Sequence, residues 1–189
     1  GREDPGDHIL QLATAWQDAL TVYVRHADDG VSALSLDGKD WTRRVRIGAS
    51  AEIPLPAREG AITGLLLRVD GSANVAGIVP RARIVSAGSA QAEELALTAL
   101  YAAFGGICLA LLGHNFVECN LVRCWSGAIY CLMTVATMVY ASAFSGALAR
   151  IFPGVPINTL LRVNYLSLAL AAALAVQFAR HFFETEALD

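Results

Sequence analysis

Charge is scarce in this chain of 189 residues. Asp, Glu, Lys and Arg make up 16% of the sequence, against about a quarter in typical soluble proteins. The shortage is confined to one half, because residues 1–94 carry ten basic and thirteen acidic side chains whereas residues 95–189 carry four of each. The net charge is −3 and there is no basic stripe, which argues against a nucleic-acid partner. A charged, globular front half therefore precedes an apolar back half.

Catalytic and metal-binding motifs are also missing. The chain has four histidines, but none lies in an HExxH pattern, and no GxSxG, P-loop or GxGxxG motif is present. We therefore expect no enzyme activity, no cofactor and no metal centre in this chain. All four cysteines lie in the apolar half, so the disulfide framework of a small secreted domain is excluded.

A leader sequence is not visible at the start of the chain. The first residues are Gly-Arg-Glu-Asp, without a basic segment followed by an apolar one. We expect a processed chain or a fragment.

Three long runs in the back half contain no charged residue. They are LALTALYAAFGGICLALLG (95–113), CWSGAIYCLMTVATMVYASAFSGALA (124–149) and VNYLSLALAAALAVQFA (163–179). A helix needs about 20 apolar residues to cross a bilayer core. The sequence thus predicts a membrane domain at 95–183 with three transmembrane helices, near 95–113, 122–149 and 158–183. Arg162 would then face a partner or extend to the interface.

Polar residues separate the first two runs in the stretch GHNFVECNLVRCW (113–125). It places His114, Cys119 and Cys124 five residues apart in turn. Zinc ligands usually come in pairs two to four residues apart, so this spacing does not match a structural zinc site. We predict the short turn of a helical hairpin, with membrane boundaries at Gly113 and Arg123. A free-thiol or lipidation role for Cys119 or Cys124 is the alternative.

Small residues in the spans leave two interpretations open. Ser142 and Gly146 lie four apart, as do Ala169 and Ala173. Such spacing permits close helix packing in lipid, but it also follows from plain alanine richness. The adjacent glycines at 105–106 favour packing.

Short β-rich runs and turn residues fill the front half. The runs are LTVYVR (20–25), VSALSL (31–36), RRVRIG (43–48), ITGLLLRV (62–69) and IVPRARIVS (78–86). Asp37-Gly38 and Asp70-Gly71 are turn dipeptides between them. Pro80 lies inside the last run and indicates an edge or bulged strand.

The predicted fold class is therefore β plus membrane α. An antiparallel, jelly-roll-like β-sandwich at 20–86, lacking some N-terminal strands, precedes the three transmembrane helices. An N-terminal segment, 1–19, comes before the sandwich, and its stretch DHILQLATAWQDA (7–19) is ambiguous between a strand and one helical turn. A small polar linker at 87–94 joins the two parts.

The layout resembles a known family, the bacterial seven-transmembrane receptors with diverse intracellular signalling modules (7TMR-DISM). RRVRIGASAEIPLPAREGAITGLLLRVDGSANVAGIVPRARI (43–84) is similar to the end of that family's periplasmic all-β sensor domain. ALYAAFGGICLALLGHNFVECNLVRCWSGAIYCLMTVATMVYASAF (99–144) and LLRVNYLSLALAAALAVQFARHFFET (160–185) look like its first three membrane helices.

The resemblance implies a location and a function. The chain would lie in the bacterial inner membrane, with the β domain in the periplasm and the C-terminus in the cytoplasm. It would bind a periplasmic ligand and relay a signal to a cytoplasmic output domain absent from this chain, such as a diguanylate cyclase or histidine kinase. The alternative is a membrane-anchored structural or binding module with no signalling role. We expect contact with the lipid bilayer and self-association into a homo-oligomer.

The candidate ligand site in the β domain is formed by Trp41, Arg43 and Arg46. An aromatic platform beside guanidinium donors suits a carbohydrate or another small molecule, through stacking and bidentate hydrogen bonds. The preferred alternative places Trp41 at the sandwich core and the arginines on a solvated strand face.

Overall fold

The computed structural model describes most of the chain, namely residues 8–14, 16–28, 30–55, 62–73, 79, 81–122 and 125–186. Its strands are β1 (His8–Leu12), β2 (Ala19–His26), β3 (Val31–Asp37), β4 (Val45–Arg46), β5 (Ser50–Pro54), β6 (Ile62–Asp70) and β7 (Ala82–Ser86). Its helices are α1 (Gly38–Arg44), α2 (Ala87–Val122), α3 (Trp125–Phe144), α4 (Ala147–Ile151) and α5 (Ile157–Glu186).

Four strands form an antiparallel sheet in the order β4-β5-β1-β7. Strand β1 pairs with both β5 and β7, and Leu10 lies opposite Ile53 on one side and Ile84 on the other. The ambiguous N-terminal stretch is therefore a strand, and the sheet begins earlier than residue 20. Strand β7 is an edge strand, as the proline in its run indicated; Pro80 itself lies outside the described residues.

The other three strands form an antiparallel sheet in the order β3-β2-β6. Strand β2 is central, and its alternating apolar residues Leu20, Val22 and Val24 are buried. That alternation turns one face of the strand to the core. The two antiparallel sheets followed by three apolar helices confirm the predicted fold class.

Helix α1 stands where the sequence predicted a turn and the start of a strand. Asp37 is extended, and Gly38 begins the helix at φ +43°. Asp40 lies in the first turn and Arg43 and Arg44 in the last, which complements the helix dipole. Of the strand predicted at 43–48, only Val45–Arg46 is observed, as β4, because α1 extends to Arg44 and the turn to β5 begins after Arg46.

The hydrophobic core lies between the sheets and receives side chains from both. Trp41 is fully buried there. One member comes from far along the chain, since Ile157 at the start of α5 is only 7% exposed and belongs to the same cluster. The remaining buried members are Leu10, Leu12, Leu20, Val22, Val24, Leu36, Val45, Ala51, Ile53 and Leu55.

Three helices are long and apolar enough to cross a membrane, over Ala87–Cys119, Trp125–Phe144 and Ile157–His181. Helix α2 has 36 residues, which at about 1.5 Å per residue is roughly 54 Å long, well beyond a bilayer core of about 30 Å. Residues 87–94, the predicted linker, form its first two turns.

The polar stretch after Gly113 is also helical, so the predicted hairpin turn is wrong as far as Val122. No proline or glycine interrupts residues 114–122. The Asn115 side-chain amide donates to the carbonyl of Leu111 at 2.8 Å, and His114 lies 3.5 Å from Glu118 one turn on. Arg123 and Cys124 lie outside the described residues.

The chain divides into two units. The first contains Gly1–Thr98 and Ser145–Leu160, and the second Ala99–Phe144 and Leu161–Asp189. In the second unit the rings of Tyr130 and Phe178 lie 5.9 Å apart between α3 and α5.

Candidate functional site

The segment Ser145–Leu160, which follows α3 and includes the first turn of α5, packs on the β domain; we call it the docking segment. The Ser145 carbonyl accepts hydrogen bonds from the backbone N–H groups of Gly48 (2.9 Å) and Ala49 (3.1 Å). These two residues form the turn between β4 and β5, with φ values of +101° and +55°. Positive φ is favoured at glycine, and here it turns two successive N–H groups toward one carbonyl.

Gly146 lets the docking segment approach this turn closely. Its φ is +79°, and a Cβ atom added to it would lie 2.9 Å from Val45 Cγ1 and 3.0 Å from the Arg46 carbonyl oxygen. The four-residue spacing from Ser142 therefore has another explanation than helix packing. Further along, Pro153-Gly154 and Pro156 separate α4 from α5, since proline cannot continue a helix. Ile157 then enters the core.

Four charged side chains join three parts of the first unit; we call Arg46, Glu52, Glu94 and Arg150 the junction cluster. Arg46 Nε lies 3.0 Å from Glu52 Oε2 and 4.0 Å from Glu94 Oε2. Arg150 Nη1 donates to Glu94 Oε1 at 2.6 Å. Glu94 on α2 thus bridges the β4–β5 turn region and the docking segment.

The cluster is balanced in charge and partly withdrawn from water. The side chain of Glu52 is 9% exposed and that of Glu94 is 20%, whereas Arg150 is 52% exposed. Within the described part of the chain, Glu52 Oε1 has no hydrogen-bond partner. A buried carboxylate depends on its counter-charge, and Arg46 supplies that charge to Glu52.

The three residues of the predicted ligand site are not brought together on one binding face. Trp41 is fully buried, and stacking requires an exposed ring face. Arg43 is solvent-exposed, with Nη1 3.9 Å from Asp40 Oδ1, and Arg46 is paired with Glu52. The burial of Trp41 agrees with the alternative in which it belongs to the core. Ligand binding by this trio stays a prediction.

Sequence reasoning missed Glu94 and Arg150 as partners. The sequence did contain a signal. With three membrane spans, the residues before the first span lie on the same side of the membrane as the residues between the second and third spans. Glu93 and Glu94 precede the first apolar run, and Arg150 follows the second. Their opposite charges at one membrane face predict attraction, although not which atoms meet.

The described residues contain no group of three or more His, Cys, Asp or Glu side chains placed to hold a metal ion. Cys108, Cys119 and Cys131 are not in disulfides. His114 and Glu118 face each other on an exposed turn of α2.

The comparisons with known proteins agree with this architecture. No curated protein and no solved structure matches the chain. The family described as 7TM diverse intracellular signalling matches residues 97–188, which include most of α2 and all of α3 and α5. This match, with the β region before the helices, supports assignment of the chain to the 7TMR-DISM family.

Proposed function

We propose that this chain is the sensing and coupling part of a bacterial receptor. Its β domain lies in the periplasm and binds a soluble small molecule. The membrane helices carry the effect of that binding across the inner membrane to a cytoplasmic output domain in the complete receptor.

The docking of Ser145–Leu160 on the β domain carries this proposal. A domain that is only anchored needs one covalent connection to its membrane segment. Here the β4–β5 turn region also contacts α2, through Arg46 and Glu94, and the docking segment, through the Ser145 carbonyl. A change in the β4–β5 turn therefore acts on two membrane helices at once.

Such coupling requires an element with two arrangements whose balance a ligand can shift. The junction cluster suits that role because its bonds are few and partly exposed. Gly48, Ala49 and Gly146 have positive φ, and the N–H groups of the first two bind the Ser145 carbonyl, so a rearrangement of the turn breaks these bonds.

The orientation is tested by labelling. A variant with Val31→Cys places a thiol on β3, where the side chain is 61% exposed, and His114→Cys places one on the distal part of α2, with the native cysteines replaced by serine. In cells with a permeabilised outer membrane, an impermeant maleimide should label position 31 and not position 114. Labelling of position 114 alone would contradict the proposed orientation.

Receptor function is tested with the full chain in lipid nanodiscs. A panel of neutral sugars, amino acids and small carboxylates is screened for compounds that raise the thermal stability of the β domain. We expect an active compound also to change hydrogen exchange in residues 145–160, and the double variant Glu94→Gln/Arg150→Gln to lose that change while still binding. If no compound binds, or if binding leaves the exchange of the docking segment unaltered, the membrane-anchor alternative is favoured.

A further inference from the structure

A cavity of about 200 Å³ lies where β1, β7 and the β4–β5 turn meet the first turns of α2. Its lining includes Gln11 and Ser50 from β1 and β5, and Glu93 and Leu97 from α2. Arg83 on the edge strand β7 and Arg81, just before that strand, also line it. Pockets for drug-sized ligands measure about 300–1,000 Å³, so this one fits a smaller molecule.

Two of the charged groups in the lining are paired with each other. Arg83 donates through Nη2 to Glu93 Oε2, and through Nε to the side-chain oxygen of Gln11 at 2.6 Å. Gln11 is only 6% exposed, so this arrangement is anchored in the sheet. With its oxygen accepting from Arg83, the NH₂ group of Gln11 is left as a donor.

Arg81 differs from Arg83 in the contacts of its side chain. The Arg81 backbone carbonyl accepts a hydrogen bond from the N–H of Ala13 at 2.9 Å, which fixes the main chain at the edge of the cavity. The structure records no ion pair for the Arg81 guanidinium among the described residues. Two arginines and one glutamate therefore leave the cavity with a single positive charge.

One wall of the cavity is apolar. Leu97 packs against Gly48 so closely that a Cβ atom on that glycine would lie 2.5 Å from Leu97 Cδ1. The side chains of Ala13 and Leu97 provide a surface for a short carbon chain in the same cavity as the donors of Gln11 and Arg81.

We propose that this cavity binds a small organic monocarboxylate. The carboxylate pairs with Arg81, whose planar guanidinium matches it in a bidentate manner. A second oxygen of the ligand accepts from Gln11, and the carbon chain lies against Leu97. The proposal rests on the proposed function, since it names the ligand class and site of the sensing domain.

The location gives the ligand a direct route to the membrane helix. Glu93 and Leu97 are part of α2 and flank Glu94, the bridging residue of the junction cluster. A bound carboxylate repels Glu93 and competes for Arg83, so it shifts the first turns of α2 relative to β7. The adjacent Glu94 then changes its contact with Arg150.

The test is isothermal titration of the full chain in nanodiscs with acetate, lactate, pyruvate and butyrate, using their neutral amides as matched probes. We expect at least one acid to bind with a Kd of about 1 mM or lower and its amide not to bind. Arg81→Gln should weaken binding by about tenfold or more, because the charged partner is lost. Ala13→Leu, which fills the cavity without removing charge, should also abolish it.

The control is Arg68→Gln on β6, since Arg68 is also exposed and basic but does not line the cavity; it should leave binding unchanged. Absence of binding by all four acids would overturn the proposal, as would binding that survives both Arg81→Gln and Ala13→Leu, or inorganic phosphate binding more tightly than any acid.

The outcomes separate this proposal from receptor function. If a sugar or amino acid binds and alters hydrogen exchange in residues 145–160 while none of the acids binds, the carboxylate site is refuted and receptor function is supported. If an acid binds as expected but hydrogen exchange in that segment is unchanged, the carboxylate site is supported and receptor function is refuted.

Discussion

Replacing Glu94 by Gln removes the charge that bridges the junction cluster. Glu94 lies 2.6 Å from Arg150 and 4.0 Å from Arg46, with its side chain 20% exposed. A hydrogen bond to a charged group contributes about 1.5–3 kcal/mol, whereas an exposed ion pair contributes about 0.2–1 kcal/mol. Because Arg150 is 52% exposed and Arg46 keeps Glu52, we expect a loss of about 1.5 kcal/mol for Glu94→Gln.

The Arg150→Gln variant should cost less, about 1 kcal/mol, because a half-exposed guanidinium is solvated when it loses its partner. The double variant should be less destabilised than the sum of the two, with a coupling energy of about 1 kcal/mol. For a domain of this size, 1 kcal/mol corresponds to roughly 4–8 °C in Tm.

The assay is thermal unfolding of the β domain in detergent micelles, followed by tryptophan fluorescence, since Trp41 is fully buried. Arg68→Gln is the matched control. Arg68 and Asp70 form an ion pair at 3.4 Å in which both side chains are exposed, so the substitution should change stability by less than about 0.5 kcal/mol. Additive effects of Glu94→Gln and Arg150→Gln would refute the bridging role of Glu94.

Three further predictions concern single residues. Gly146→Ala should destabilise the first unit by about 1–3 kcal/mol, through left-handed backbone strain and through a clash with Val45. The control is Gly38→Ala, which is also at positive φ but has nothing within 4 Å of the added methyl group, so it adds backbone strain alone. An equal loss of Tm in the two variants would show that the clash with Val45 contributes nothing. Trp41→Ala should cost about 3–5 kcal/mol by leaving a core cavity, whereas Trp41→Phe should stay folded in a fluorescence or dye-binding assay. Gly105→Ala should raise helix stability by about 0.5–1 kcal/mol, because its added methyl meets nothing within 4 Å; a loss of stability or a shift in size-exclusion elution would instead indicate close packing there.

The membrane helices and the main strands could be predicted because their causes are local. A run without charge from Leu95 to Gly113 must leave water, and the alternation of Leu20, Val22 and Val24 fits a strand with one buried face. These patterns depend only on the residues of the element and on the solvent around it.

The parts that failed depend on neighbours outside the element. The polar residues 114–122 are compatible with either a turn or an exposed helix, and hydropathy marks only where the bilayer ends. Gly146 lacks a side chain where it meets β4, and its spacing from residues of the neighbouring helix cannot reveal that contact. Glu94 and Arg150 are 56 positions apart, so their pairing exists only once the docking segment is in place.

The central claim is that the β domain holds the segment between the second and third membrane helices. The most direct measurement is the distance distribution between spin labels at Val31→Cys and Phe152→Cys, with the native cysteines replaced by serine, in nanodiscs. Both side chains are exposed, at 61% and 56%, so the labels need not disturb packing. The account predicts one narrow distribution, broadened by Glu94→Gln and more so by Gly146→Ala. A broad distribution in the chain without those two substitutions would show that the segment is not held, and would contradict the account.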